Sequence, residues 1–216
     1  MKSNWQLIYA TVSAAVLVTI LSGQSSLYML VKPLLMVSLL FYFTTGSMGY
    51  PKWRIAVMFA LIFSWLGDVL LLSDDLFMAG LAAFLVAHIF YIVAYHKTGA
   101  ASGELKPMDS IKLAVLGAIL TAVLFPHLGG MLIPVLVYAM VLLGMALWAH
   151  KRRGATSARS FMLVSSGAIL FVISDGLIAV NKFAVEIPAE RILVMSTYIA
   201  AQYLIIRGLL EHETAQ

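Results

Sequence analysis

The sequence contains no cysteine, and only 11% of its 216 residues are charged. Without cysteine there can be no disulfide, no thiolate catalysis and no cysteine-ligated metal site. Soluble domains usually carry about a quarter charged residues, so the low charge argues against a water-soluble fold. Proline is scarce and glycine moderate, which excludes the fibrous and disordered classes.

Apolar residues make up 62% of the chain, and the mean hydropathy is +0.97. One core cannot bury this much apolar surface, so lipid must act as the solvent. A membrane-crossing helix needs about 20 mostly apolar residues. The sequence therefore predicts an all-α polytopic membrane protein, a single transmembrane domain with a bundle of about eight transmembrane helices. The predicted spans are 5–22, 27–45, 53–72, 77–96, 109–125, 130–150, 159–180 and 190–210.

The first span also has to be compared with a signal peptide. Its apolar region is too long for one, and no A-x-A cleavage site follows it. We expect it to be a retained helix.

The lysines and arginines predict the orientation of the chain. A net charge of +4 would suggest nucleic acid in a soluble protein, but in membrane proteins the excess lies in cytoplasmic loops, so we expect no nucleic-acid partner. With the N-terminus inside, the outer side holds Lys32, Lys182 and Arg191. The inner side holds Lys2, Lys52, Arg54, Lys97, Lys106, Lys112, Lys151, Arg152, Arg153, Arg159 and Arg207. Both termini are therefore predicted to be cytoplasmic, in the inner membrane if the source is bacterial.

Short similarities suggest a four-helix repeat, with halves 1–108 and 109–216. Equivalent helices of the two halves would run parallel, as in some other membrane proteins. Three short matches in apolar sequence are equally compatible with chance. The matched segments are Lys32-Pro33 with Ile133-Pro134, Gly67-Asp68 with Ser174-Asp175, and Ala87-His88 with Ala201-Gln202.

Five polar side chains lie inside predicted spans: Lys32, Asp68, His88, Asp175 and Gln202. A charged group there costs about 2.5–3.5 kcal/mol on insertion scales, so such residues usually face a bundle interior or a cavity. At about 1.5 Å per residue, Lys32, Asp68 and Asp175 lie about 6–8 Å below the outer boundary, and His88 and Gln202 about 18 Å below it. The depths predict a pocket that opens toward the outer leaflet and has His88 and Gln202 as its floor.

Two interpretations of these charges remain open. Lys32 and Asp68 could form an ion pair that only holds helices together, since buried charges are normally paired. That reading accounts less well for Asp175 at the same depth. Two carboxylates in a poorly hydrated site repel one another, so one is expected to keep its proton. A protonated acid beside a carboxylate base is a hydrolytic arrangement.

Three further residues are candidates for the pocket. Tyr91 shares a helix face with His88, and Tyr198 shares one with Gln202. Asn181 ends a span at the level of the pocket rim. The tyrosines could instead be packing residues and Asn181 a helix cap.

The sequence gives no sign of a metal or cofactor. Of the five histidines, only His88 lies clearly within a span and away from the inner face, so a three-histidine zinc site cannot be assembled. There is no G-x-S-x-G nucleophile elbow and no phosphate-binding Gly-rich loop before a Lys-Ser or Lys-Thr pair. We expect neither a metal nor a cofactor.

The polar residues occur in an ordered set of short motifs on successive helices. The motifs are Lys32-Pro33-Leu34, Leu66-Gly67-Asp68, Gly80 followed by Phe84, Ala87-His88 with Tyr91, Ser174-Asp175, Asn181-Lys182-Phe183, and Tyr198 with Ala201-Gln202. This set resembles the YhhN-like, or lysoplasmalogenase, family of integral membrane proteins. The resemblance implies hydrolysis of the vinyl-ether bond of lysoplasmalogens to a fatty aldehyde and glycerophosphoethanolamine or glycerophosphocholine. It also implies that Asp68 and Asp175 are catalytic and that Lys32, His88 and Gln202 line the site.

Vinyl-ether chemistry suits two aspartates. The bond opens by proton transfer to carbon, so one aspartate could donate the proton and the other activate water; the sequence leaves open which does which. The expected partners are a lysophospholipid substrate and membrane lipids. Two other functions remain possible: a proton-coupled small-molecule or lipid transporter, since intramembrane Asp, His and Lys also form proton relays, or an assembly protein whose polar residues specify packing.

Overall fold

The structure, a computed structural model, describes residues 2–46 and 52–213. Within them it contains eight long α-helices and no strand, and each helix is long and apolar enough to cross a membrane. The predicted all-α bundle of about eight spans is thus confirmed. The helices are α1 (Lys2–Leu21), α2 (Ser25–Gly46), α3 (Lys52–Leu70), α4 (Phe77–Tyr95), α5 (Pro107–Leu124), α6 (Leu132–His150), α7 (Ala158–Phe183) and α8 (Glu190–Glu213).

Six helices form a closed ring in the order α2, α3, α4, α6, α7 and α8, with α8 returning to α2. Helix α1 packs outside the ring on α2 and α8, and α5 packs outside it on α6 and α7. The most extensive interfaces are α3 with α4 and α7 with α8. These two pairs occupy equivalent places in the two halves of the proposed repeat, which itself stays a prediction.

The outer surface of the bundle is apolar, as a lipid-facing surface must be. Leu7, Leu30 and Ile133 are each about 70% exposed, although a soluble protein would hide such side chains from water. The ring interior holds the completely buried side chains Leu39 and Ile205. The chain therefore buries one apolar set against itself and leaves another for the hydrocarbon of the bilayer.

Glycines allow the two tight helix pairs to approach closely. A β-carbon at Gly167 on α7 would lie 2.8 Å from the carbonyl oxygen of Ala201 on α8. One at Gly67 on α3 would lie 2.5 Å from the ring of Phe84 on α4. Small residues at helix interfaces are the usual basis of close packing in membranes. Here they bring α4 and α8 against the helices that carry the two aspartates.

The loops fall at two ends of the bundle. The connections 22–24, 71–76, 125–131 and 184–189 lie at one end, which we call the site end. The opposite end, the basic end, carries the eleven lysines and arginines that the sequence assigned to the inner side. Which end faces the cytoplasm stays a prediction.

Two arginines tie the loops of the basic end together. Arg152 is fully buried and donates hydrogen bonds to the carbonyl oxygen of Thr98 (3.2 Å) and to Oγ of Ser160 (3.1 Å). Burial lowers the pKa of Arg152 to about 10, so it keeps its charge at neutral pH. Arg153 forms a 2.7 Å ion pair with Asp109 at the start of α5.

Candidate active site

Asp68 lies near the end of α3 and is almost completely buried, with 2% of its surface exposed. The ammonium of Lys32 on α2 lies 3.5 Å from one carboxylate oxygen. The hydroxyl of Tyr198 on α8 donates a 2.8 Å hydrogen bond to the other. The carboxylate therefore has a cation on one side and a neutral donor on the other. The structure brings together all three of these predicted site residues.

A buried hydrogen-bond network continues from Tyr198 toward the middle of the membrane. The side-chain amide of Gln202 donates to Oγ of Ser64 (3.1 Å) and to the hydroxyl of Tyr198 (3.4 Å). The hydroxyl of Tyr91 donates to the carbonyl oxygen of Gln202 at 2.5 Å. Every polar atom of the Gln202 side chain thus has a partner. The network fixes the Tyr198 hydroxyl, and through it the orientation of Asp68.

Asp175 on α7 has a different environment. Tyr138 on α6 donates a hydrogen bond to one of its oxygens. Nε2 of His88 lies 3.9 Å from the same oxygen, which is too far for a hydrogen bond. No ion pair of a lysine or arginine within residues 2–46 and 52–213 includes Asp175. The carboxylate therefore relies on a hydroxyl and a nearby imidazole.

His88 is completely buried, and neither of its ring nitrogens has a hydrogen-bond partner. Its ring packs edge-on against Phe171, with centroids 4.7 Å apart, and against Tyr138 at 5.5 Å. Buried polar atoms without partners are rare in folded proteins. The position is typical of a residue retained for chemistry rather than for packing.

Two phenylalanines connect the two aspartate environments. Phe84 on α4 and Phe171 on α7 each contact both His88 and Tyr198, with ring centroids 4.7–6.4 Å apart. The Asp68 network and the Asp175 pair are thus joined through aromatic rings rather than through a direct hydrogen bond.

A polar cavity of about 440 Å³ opens at the site end. Lys32 lies in its wall, together with the aromatic rings of Tyr28 and Phe77. Both signs of charge line it, and a 2.7 Å ion pair joins Lys182 to Asp74 at the rim. The other polar lining residues are Ser25, Asn181, Glu190 and Arg191.

Two small apolar cavities, of about 60 and 40 Å³, both have Asp175 and Tyr138 in their walls. The larger lies between α5, α6 and α7. The smaller shares Leu71, Phe77 and Ile178 with the polar cavity. Asp175 therefore borders both apolar cavities, and the smaller of them lies between Asp175 and the polar cavity. Asp68 lines none of these three cavities. Its ion-pair partner Lys32 lines the polar cavity.

The sequence predicted one pocket, whereas the residues around the aspartates line a polar cavity and two apolar ones. His88 and Gln202 do not line any of the three; they lie behind the aspartates as buried partners. Asn181 lines the polar cavity but also has a local role, because its side-chain oxygen accepts a 2.8 Å hydrogen bond from the backbone N–H of Ile187. The catalytic and substrate-binding roles of these residues stay predictions.

Several residues of the site carry no recognisable signal in the sequence. Tyr138 could not be recognised as a site residue, since a lone tyrosine in an apolar helix is usually a packing residue. Ser64, Phe84 and Phe171 are equally inconspicuous, and only their neighbours in space reveal them. Arg191 served only as evidence of orientation, although its guanidinium lies over the Tyr28 ring at 5.4 Å, in the wall of the polar cavity.

The arrangement offers groups that donate and accept protons in a poorly hydrated place. Within residues 2–46 and 52–213, no group of three His, Cys, Asp or Glu side chains could hold a metal ion. Asp175 and Tyr138 face apolar space that a hydrocarbon can occupy, while Lys32 and Asp68 place a fixed ion pair nearby. Acid–base chemistry on an amphiphilic molecule is what these groups can support.

Comparison with known proteins gives a consistent picture. Residues 27–209 match the model of the YhhN family. Mouse lysoplasmalogenase TMEM86B is 36% identical over 154 residues, which cover 71% of this chain and 62% of the relative. Human lysoplasmalogenase TMEM86A is 33% identical over 157 residues, 70% of this chain and 63% of the relative. A lysoplasmalogenase of Mycobacterium tuberculosis is 32% identical over 156 residues, 69% of this chain and 58% of the relative.

These alignments span less than two thirds of the length of the relatives. No solved structure matches the chain.

Proposed function

The chain belongs to the YhhN family, and we propose that it is an intramembrane hydrolase that cleaves the vinyl-ether bond of lysoplasmalogens. The relatives named lysoplasmalogenase, from mammals and a mycobacterium, support this substrate. The products are a fatty aldehyde and a glycerophospho-base such as glycerophosphoethanolamine or glycerophosphocholine. No cofactor takes part in the proposed reaction.

The observation that carries the proposal is the different pairing of two buried aspartates. Asp68 is paired with the ammonium of Lys32 at 3.5 Å, and an opposite charge at this distance favours the ionised carboxylate. Asp175 is hydrogen-bonded to the uncharged Tyr138 and lines two apolar cavities. The environment of Asp68 thus suits a fixed anion, and that of Asp175 suits a proton donor. Paired carboxylates divide their roles in this way in acid–base hydrolysis.

The first step is proton transfer to carbon. A vinyl ether has no carbonyl group to attack, so its hydrolysis begins when the β-carbon of the double bond takes a proton and an oxocarbenium ion forms. We assign this proton to Asp175, because it borders the space that a hydrocarbon can occupy. The negative charge of Asp68 stabilises the cation through space, as carboxylates do in glycoside hydrolysis. General acid catalysis of this kind contributes about 10²–10⁴-fold.

Water completes the reaction. It adds to the oxocarbenium carbon and gives its proton to Asp175, which the first step left as a carboxylate. The resulting hemiacetal then breaks its bond to the glycerol oxygen, and the hydroxyl proton moves to that oxygen. The aldehyde and the glycerol hydroxyl are both formed, and Asp175 regains the proton it gave.

The polar cavity fits the head group. Lys32, Lys182 and Arg191 can attract a phosphate, while Glu190 and the aromatic ring of Phe77 can attract an ammonium group. A zwitterionic head group needs both signs of charge, and both line this cavity. The volume of about 440 Å³ is of the size that small-molecule sites usually have.

We also propose that the basic end faces the cytoplasm, with both termini on that side. Eleven of the fourteen lysines and arginines lie at that end, and positive charge accumulates in cytoplasmic loops. The polar cavity then opens to the outer leaflet. In a bacterium this places the protein in the inner membrane.

The test is an assay of the purified protein in detergent. A lysoplasmalogen should yield free aldehyde. The matched lysophospholipid with an ester-linked chain should remain intact, because ester hydrolysis needs a nucleophile that attacks the carbonyl carbon. Detergent abolishes ion gradients, so a transporter would return the lysoplasmalogen unchanged. Release of fatty acid from the ester would also overturn the proposal.

A further inference from the structure

The cavity between α5, α6 and α7 has apolar walls and borders Asp175. On the basis of the proposed function, we propose that the hydrocarbon chain of the lysolipid binds in this crevice, and that the crevice opens when α5 moves away from α6 and α7. The ligand class is a single unbranched alkenyl chain. The head group would lie in the polar cavity, on the other side of Asp175.

The crevice runs in the direction that a lipid chain takes in a bilayer. Its wall includes Val135 near the site end and Leu142 and Leu143 deeper in α6. Seven residues separate Val135 from Leu142, which is about 10 Å along a helix axis. Gly117 on α5 borders the deep part, and Asp175 on α7 is in the wall. A chain in this crevice therefore points toward the membrane centre with its polar end near Asp175.

The crevice is continuous with the head-group space. The smaller apolar cavity borders Asp175 and Tyr138 on one side and shares Leu71, Phe77 and Ile178 with the polar cavity on the other. A single-chain lipid that spans these spaces carries its first chain carbons past the carboxyl group of Asp175. The vinyl-ether bond is located at that point of the molecule.

Helix α5 is the least buried of the eight helices, so its movement would disturb the fewest contacts. Only 17% of its span is buried, against 50% for α8, and its buried residues are Leu113, Gly117 and Leu124. The site end of α5 packs in a small apolar cluster that is separate from the main core. Its polar tie is the ion pair of Asp109 with Arg153 at the basic end. Along the crevice, the contacts that hold α5 are therefore apolar.

The size of the crevice requires this movement. A volume of about 60 Å³ is far below the roughly 300–1,000 Å³ of ordinary ligand pockets. A fatty chain cannot fit until α5 and α6 separate. The structure therefore corresponds to the closed form of the crevice.

A second apolar groove is a competing site for the chain. It lies between α1 and α8, measures about 450 Å³, and is lined by Tyr9, Leu17 and Tyr203 among others. Neither Asp68 nor Asp175 borders it. A chain bound there would hold its reactive bond away from both carboxyl groups, so we favour the crevice under α5.

A reversible lock tests the proposal. A β-carbon at Gly117 would lie 2.5 Å from Cδ1 and 3.8 Å from Cγ of Leu143, so the two positions are in direct contact between α5 and α6. The double variant Gly117→Cys/Leu143→Cys places two thiols at this contact, and oxidation is used to join them by a disulfide. The protein has no cysteine of its own, so this bond would be the only one. We expect the oxidised variant to lose hydrolysis of a long-chain lysoplasmalogen and to regain it on reduction.

The outcomes separate this inference from the proposed function. If the wild-type protein releases no aldehyde, the proposed function fails. If the wild type is active and the oxidised double variant is equally active, with the disulfide verified by mass spectrometry, the movement of α5 is overturned. The two single-cysteine variants control for the loss of Leu143 and for the bulk added at Gly117.

Chain-length preference provides a second test that does not depend on a disulfide. Gly117→Leu fills the deep end of the crevice and should lower kcat/KM for a long-chain lysoplasmalogen by about tenfold or more, with a smaller effect on a short-chain one. Ala118→Leu adds the same atoms at the neighbouring, exposed position of α5 and should leave both rates unchanged. Equal losses on both chain lengths in Gly117→Leu would overturn the site.

A photoreactive lysophospholipid with its label at the end of the chain locates the chain directly in the wild-type protein. Label on peptides from α5 and α6 is the expected result. Label confined to α1 and α8 would assign the chain to the other groove and overturn the proposal.

Discussion

Tyr138 on α6 donates a hydrogen bond to the carboxylate of Asp175 on α7, and both residues line the same two apolar cavities. A hydroxyl is thus the hydrogen-bond partner of the aspartate that we assign as the proton donor. We propose that it orients the carboxyl group toward the substrate.

Removing the hydroxyl of Tyr138 should reduce the turnover number. Tyr138→Phe leaves the ring in place and frees one oxygen of Asp175, so kcat should fall by roughly 10–100-fold through loss of orientation, with little change in KM. Aldehyde release at saturating and limiting lysoplasmalogen separates the two parameters. Tyr95→Phe is the matched control, because the buried Tyr95 hydroxyl at the basic end has no hydrogen-bond partner. A rise in KM alone would assign Tyr138 to substrate binding.

Replacing either aspartate by asparagine should abolish activity. Asp175→Asn removes the proton donor, and Asp68→Asn removes the anion, so each should lower kcat by about 10²–10⁴-fold. The two variants should differ in stability. Asp68→Asn leaves the buried ammonium of Lys32 unpaired, and breaking a buried pair costs about 3–5 kcal/mol. Thermal unfolding in detergent measures this difference.

A second substitution can separate the structural role of the ion pair from its catalytic role. In Lys32→Met/Asp68→Asn neither charge remains, so stability should return toward that of the wild type while hydrolysis stays absent. If the double variant regains full activity, Lys32 and Asp68 only hold α2 and α3 together.

His88 should matter for activity and not for stability. Its two buried nitrogens have no partners, and a buried polar group left unsatisfied costs about 1–3 kcal/mol. His88→Leu removes that penalty, so the melting temperature should stay the same or rise, while aldehyde release should fall. A variant with lower stability and wild-type turnover would show that the imidazole serves packing against Phe171.

The charge of Arg191 should affect head-group binding. Arg191→Gln removes one cation from the wall of the polar cavity, so KM should rise while kcat is nearly unchanged, since the group lies away from Asp175. Lys112→Gln removes a cation at the basic end of α5, where its side chain is exposed, and should change neither parameter. A parallel fall in kcat would place Arg191 closer to the chemistry than the cavity lining indicates.

The eight crossings could be predicted because length and apolar composition alone decide whether a helix spans the bilayer. Counting residues along a helix gives an expected level for each side chain, and these levels stay predictions. The ion pair of Lys32 and Asp68 was one of the two open interpretations of the charges, and the two groups lie 3.5 Å apart. Each of these inferences considers a single helix, or side chains at a single depth in the membrane.

The rotation of each helix and the order of helices around the bundle were not accessible. Whether Asp68 and Asp175 share a cavity depends on both, and here Phe84 and Phe171 connect two separate environments. Tyr138 could not be identified because its partner is 37 residues away on another helix. The close approach that seats Phe84 against Gly67 depends on packing between α3 and α4, which no periodicity in a uniformly apolar sequence reveals.

Asp175 borders the apolar crevice, and the smaller apolar cavity leads from it to the polar cavity. In the proposed reaction this placement also affects what happens after the bond breaks. The two fragments differ greatly in solubility: one dissolves in oil and the other in water. Each is already on the side of its preferred medium when it forms, so the fragments diverge and cannot easily recombine. Product departure should then need no transport step, and the aldehyde should enter the bilayer before it meets the aqueous phase.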